Sequence, residues 1–123
     1  MKTKVTTFII VCLALLTVLS SCEKDNYDET IITMTTESDS VAIRIAGSGK
    51  FNINWGDSTQ IETHTLRSNY ITFSHNYSDS SAREIIIIGE KITHLNCNSN
   101  QLSSLDVSKN TALAYTCIVS IIN

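Results

Sequence analysis

The 123-residue sequence has little of what usually announces chemistry. Its four glycines are scattered, so no glycine-rich loop cradles a phosphate, and no Walker lysine is present. Its three histidines, His64, His75 and His94, stand eleven and nineteen residues apart, without the paired spacing of metal ligands. No metal site is therefore expected. A Ser–His–Asp set can be written from Ser58, His75 and Asp57, but no G-x-S-x-G elbow supports it. Asp57 is more simply a turn residue bonding its own backbone. No catalytic residue is assigned, no cofactor is expected, and the chain is not expected to be an enzyme. Basic charge is also scarce: nine Lys and Arg against twelve Asp and Glu. A nucleic-acid partner would want a basic stripe, and none exists. No stretch sustains a helical period.

What is present begins with a segment to be set aside before any fold is discussed. Lys2 and Lys4 flank an uncharged apolar run, Val5–Leu19, shorter than the ~20 residues a helix needs to cross a bilayer core. Leu19-Ser20-Ser21-Cys22 follows. The pattern resembles the lipobox of bacterial lipoproteins, which implies a signal peptide over residues 1–21 and lipidation of Cys22. Several acyl chains suffice for stable membrane anchoring where one is marginal. Without Lys2 and Lys4 the mature chain keeps seven basic against twelve acidic residues, a net charge of −5 with His neutral. Cys12 leaves with the signal and Cys22 carries lipid, so only Cys97 and Cys117 remain, too few for a disulfide framework. Residues 22–29 form the lipidated Cys and an acidic tether. Acidic residues directly after a lipidated Cys resemble the surface-export signal of Bacteroidetes lipoproteins, which implies an outer-membrane, cell-surface location.

Thr30–Ile92 alternates like β-structure. Val41, Ile43 and Ile45 share one face, and Phe51, Ile53 and Trp55 share another. Further strands are expected at Ile31–Thr36, Gln60–Leu66, Tyr70–Ser74 and Glu84–Ile88, the last apolar on both faces like a covered central strand. Gly47-Ser48-Gly49 and Gly56-Asp57-Ser58 read as turns, and Asn76–Ser81 as a polar loop. Six short strands at this spacing predict a mainly β fold, an antiparallel sandwich. Trp55, Tyr70, Phe73 and Tyr77 could instead form a sugar-stacking platform, but Trp55 at the inward end of an alternating strand is expected in the core.

Trp55-Gly56-Asp57-Ser58, then His75-Asn76-Tyr77, then Ile85–Gly89 resembles the PKD-like immunoglobulin sandwich, whose signature is W-G-D-G followed by H-x-Y. Ser58 replaces the last Gly. The resemblance covers residues 30–92 and implies a spacer or protein-binding module in which Trp55, Gly56, Asp57, His75 and Tyr77 form a structural motif. Asp39-Ser40-Val41 and Asp57-Ser58-Thr59 resemble O-glycan acceptor triplets of exported Bacteroidetes proteins, which would place sugars on Ser40 and Ser58.

Residues 93–123 differ in kind. Leu95 through Leu113 is similar to one unit, L-x-C-x-x-N-x-L-x-x-L-D-V-S-x-N-x-x-L, of a leucine-rich repeat. The resemblance implies a core of Leu95, Cys97, Leu102, Leu105, Val107 and Leu113, with Asn100 bonding backbone at the bend. The next unit should place Cys twenty-one residues after Cys97, yet Cys117 comes one residue early and the following residues abandon the pattern. One back-translation of Tyr115–Asn123, read in another frame, gives Tyr-Leu-Tyr-Cys-Lys-Tyr-Asn-Gln and restores the repeat. A frameshift-truncated array is therefore expected, its single coil poorly ordered with Leu102, Leu105 and Ile121 exposed. The whole reads as a non-enzymatic surface lipoprotein of the adhesion or protein-binding class. Its partners are the membrane, through the lipid, and a host or bacterial surface protein. The alternative is a glycan-binding accessory lipoprotein acting through the sandwich.

Overall fold

The structure is a computed structural model and describes residues 29–116. The expected signal peptide, Cys22 with most of the tether, Cys117 and Ile121 lie outside the described residues. Among the described residues there are seven strands and no helix: β1 (Thr30–Thr36), β2 (Ser40–Asn54), β3 (Glu62–Thr65), β4 (Ile71–Asn76), β5 (Arg83–Asn96), β6 (Leu102–Asp106) and β7 (Tyr115–Thr116). The fold is mainly β, antiparallel but for β7, and sandwich-like.

Two long strands organise it. Along one path the order is β3-β2-β5-β1-β6, while β4 pairs with the first half of β2 and β7 with the end of β5. β2 therefore serves two neighbours on one edge, β4 from Ser40 to Ile45 and β3 from Lys50 to Ile53. Its other edge runs along β5 from Arg44 to Asn54, with register shifts at Ala46/Gly47 and between Ser48 and Phe51. Such bulges bend a strand and let it pass from one layer of a sandwich to the other.

Gly47-Ser48-Gly49 is accordingly not the turn expected of it but a bend inside one continuous strand. A turn would reverse the chain; here the ladder to β5 is kept on both sides of the irregularity. Gly47 is required by proximity, since a Cβ there would lie 2.1 Å from the carbonyl oxygen of Lys91. Gly49 adopts φ 87°, a conformation glycine takes without penalty.

Alternation puts Val41, Ile43, Ile45, Phe51 and Ile53 of β2, and Trp55 just after it, into one core with Ile32, Met34, Ile85 and Ile87. The other side of β5 is less covered than expected: Ile86 and Ile88 are half-buried, whereas Ile85 and Ile87 are wholly buried.

β5 carries the chain across residues 92 and 93 within one strand, so Leu95, Cys97 and Leu102 join the sandwich core. Leu102, expected exposed, is 1% exposed, because β6 pairs with β1 and turns it inward. Leu105 is half-buried against the same core, not exposed. The repeat-like coil thus finds neighbours for its apolar side chains in the sandwich, and its strands are paired instead of loose.

Candidate functional site

Three clusters carry the polar chemistry. The first lies where β2 ends. Trp55 is 1% exposed and its indole N–H donates to Glu62 Oε1 at 2.9 Å. His75, from β4, stacks on the indole at 4.9 Å and 11° and gives Nε2–H to Asp57 Oδ2 at 2.7 Å. Tyr77 donates its hydroxyl to the Trp55 carbonyl at 2.7 Å and meets His75 edge-on. Gly56 makes the turn at φ 78°, with Glu84 backbone too close for any Cβ. The structure therefore brings together the five residues of the W-G-D and H-x-Y segments.

The electrostatics follow from these bonds. Hydrogen bonds from Thr59 and then His75 hold the Asp57 carboxyl far below the usual carboxylate range. Those from His64 and then Trp55 lower Glu62. Burial, with the Asp57 charge second, pushes the Tyr77 phenol up to about 12, so it stays a donor. Ser58 sits on the turn at φ 65°, exposed, and among the described residues no hydrogen bond joins it to His75. A nucleophile–base pair needs that contact, so the three residues are not arranged as a hydrolytic set. The cluster ties the turn after β2 to β3, to β4 and to Tyr77 just beyond it.

The second cluster lies on the outer face of β4, β2 and β5. Arg44 stands over the Tyr70 ring at 4.9 Å, and the Tyr70 ring meets His94 edge-on at 5.7 Å. Tyr70 is 41% exposed, unlike Trp55 and Tyr77, which are buried, and Phe73, which packs on Phe51 and His64. The four aromatics therefore form no common platform. Between β3 and β4 runs an open groove lined by His64, Thr65, Arg67, Ile71 and Phe73.

The third cluster joins the repeat-like segment to β2. Where β5 ends, the Asn100 side-chain amide continues the ladder: Ala42 N–H donates to its Oδ1 and its Nδ2 donates to Ala42 O, both at 2.9 Å. Nδ2 also donates to Cys97 O at 2.9 Å, and the Asn100 carbonyl accepts from Thr36 Oγ1 at 2.6 Å. Cys97 is buried, and Val107 and Leu113 pack against the core. Ser40 is exposed on β2, at the opposite end of the strand from Ser58. Among the described residues no three His, Cys, Asp or Glu gather as metal ligands.

Sequence reasoning missed Glu62, which ties Trp55 to His64, and the Arg44–Tyr70 contact. Glu62 carried a faint signal, an acid one hairpin after a buried Trp. Arg44 and Tyr70 carried none, because strand register alone brings them together. No protein-family model matches the chain, and neither a curated protein nor a solved structure matches it.

Proposed function

We propose that this chain is a lipid-anchored, non-enzymatic cell-surface protein of the adhesion or protein-binding class. In this reading a PKD-like sandwich carries a coil of the leucine-rich-repeat type. One observation carries the repeat part: after residue 96 the chain crosses to β1 as β6 and returns to β5 as a parallel strand. Its register, His94 to Tyr115 and Leu95 to Thr116, is an offset of 21 residues, the spacing of the repeat pattern itself. The anchor rests on the Leu19–Cys22 box and the apolar run before it. A glycan-binding role through the sandwich draws less support, because only Tyr70 of its four aromatics is exposed.

The test is made on intact cells producing the chain. Labelled fatty acid should enter it and should vanish with Cys22→Ala, the uncut precursor accumulating. A membrane-impermeant cross-linker should then join the anchored chain to another protein. Labelling that persists in Cys22→Ala refutes the anchor, and adducts digested only by glycosidase favour the glycan alternative.

A further inference from the structure

We propose that the free edge of β4, with the groove at its amino-terminal end, seats the carboxy-terminal peptide of a partner protein. The peptide adds a strand antiparallel to β4, lays its apolar last side chain on Ile71 and Phe73, and gives its terminal carboxylate to Arg67. The inference rests on the protein-binding reading above and names the chemistry of the partner.

The edge comes first. Among the described residues β3 and β4 each pair with β2 alone. Between them Leu66 N–H donates to Gly49 O and Gly47 N–H donates to Arg67 O, both at 2.8 Å, so the chain keeps hold of β2 through the bend. β3 and β4 are thus two halves of one edge that bends with β2. Along β4 every second residue turns its N–H and C=O away from β2, a ready template for another strand. Natural edges are commonly blunted by lysine or proline. β3 and β4 carry neither.

The groove supplies the pocket. Phe73 packs edge-on against Phe51 at 5.1 Å and 75° and lies 4.6 Å from the His64 ring, and His64 Nε2–H donates to Glu62 Oε2 at 2.8 Å. The floor is therefore set before anything binds, which spares a ligand part of the ordering cost. Ile71 and Phe73 stay half-buried and line an open space of about 620 Å³, a size usual for ligand sites. Arg67 lines the same groove, is exposed, and pairs with no Asp or Glu among the described residues. In a chain of net charge −3, a guanidinium so placed is left for an anion from outside. Strand direction says which anion. A strand antiparallel to β4 runs from the Asn76 end towards Ile71, and the bend at residues 66–70 stops it there. Its carboxyl end arrives beside Arg67, with the last side chain over the apolar floor.

The probe is a short synthetic peptide of alternating Thr and Val, ending in Leu with a free carboxyl group and carrying a fluorophore at its amino end. Added to the full chain on lipid nanodiscs, it should bind about tenfold tighter than its carboxamide by anisotropy and slow amide exchange within residues 71–76. Arg67→Ala should erase that preference, whereas Arg44→Ala, which removes the same charge elsewhere, should keep it. Arg67 joins the β2 ladder through its backbone carbonyl alone, so its replacement should leave the melt unchanged. Equal binding of acid and carboxamide, a preference that survives Arg67→Ala, or no binding at all overturns the seat. Octanoate that displaces the peptide at equal affinity also overturns it, and gives the groove to free carboxylic acids. The cross-linking on cells reads the wider claim separately. Adducts of the native chain beside a failed peptide remove this seat and leave the protein-binding reading standing, while a native chain without adducts removes that reading.

Discussion

Trp55 is held on every side: its ring lies under His75, its N–H on Glu62, its carbonyl under the Tyr77 hydroxyl. Trp55→Ala should therefore cost ~3–5 kcal/mol by leaving a cavity, a large part of the ~5–15 kcal/mol a domain of this kind holds. Urea unfolding measures it, and an unchanged midpoint would refute the core role. Tyr77→Phe removes one buried hydroxyl and strands the Trp55 carbonyl, a loss of about 1–3 kcal/mol by the same assay. The two carboxyls beside them predict a pH dependence. Asp57 and Glu62 are both lowered in the folded state, so each binds protons less readily folded than unfolded. Their stabilisation is present above the unfolded value of about 4 and is lost as pH falls below it. The urea midpoint should drop between pH 5 and pH 3, and drop less in Asp57→Asn; equal slopes in the two proteins would contradict the assignment.

Among elements, alternation made most strands legible before any coordinates. Val41–Ile45 and Phe51–Trp55 show their inward faces plainly, and all but Trp55, which follows directly, lie within β2. What alternation could not show is that the two are one strand. Gly-Ser-Gly reads as a turn in isolation, and only the Lys91 carbonyl beside Gly47 makes it a bend. The Trp55 cluster was half legible: the W-G-D and H-x-Y segments named Asp57, His75 and Tyr77, but register alone supplied Glu62. Nor could local pattern show that Leu102 would find cover, since β1, its cover, lies more than sixty residues away. Asn100 gives the element-scale prediction. Asn100→Leu leaves the part-buried Ala42 N–H and C=O, and the buried Cys97 carbonyl, without their partner and should destabilise the fold by about 1–3 kcal/mol. Amide exchange at Ala42 should accelerate with it; unchanged exchange would mean that another group closes the ladder.

For the whole molecule, the shared core changes how the chain can be divided. A product ending at residue 92 loses Leu95, Cys97 and Leu102 from the core and uncovers both β2 and β1. It should be insoluble or lack a cooperative melt, whereas a product ending at residue 116 should keep one. Binding attributed to either part must therefore be mapped with surface substitutions, Arg44→Ala or Tyr70→Ala for example, instead of deletions. A cooperative melt from residues 30–92 alone would sink this view.

The order in which the strands become available has a further consequence. β1 is made first, yet its partners are β5 and β6, whose residues begin at Arg83 and Leu102. Until β5 has been made, this first described strand has no strand to pair with, and the barrier to closing so long a loop delays it further. The amino-terminal part of the chain thus meets whatever machinery awaits it while still a thread. Late closure of β1 therefore leaves the chain open for longer during synthesis than its order of strands alone would suggest.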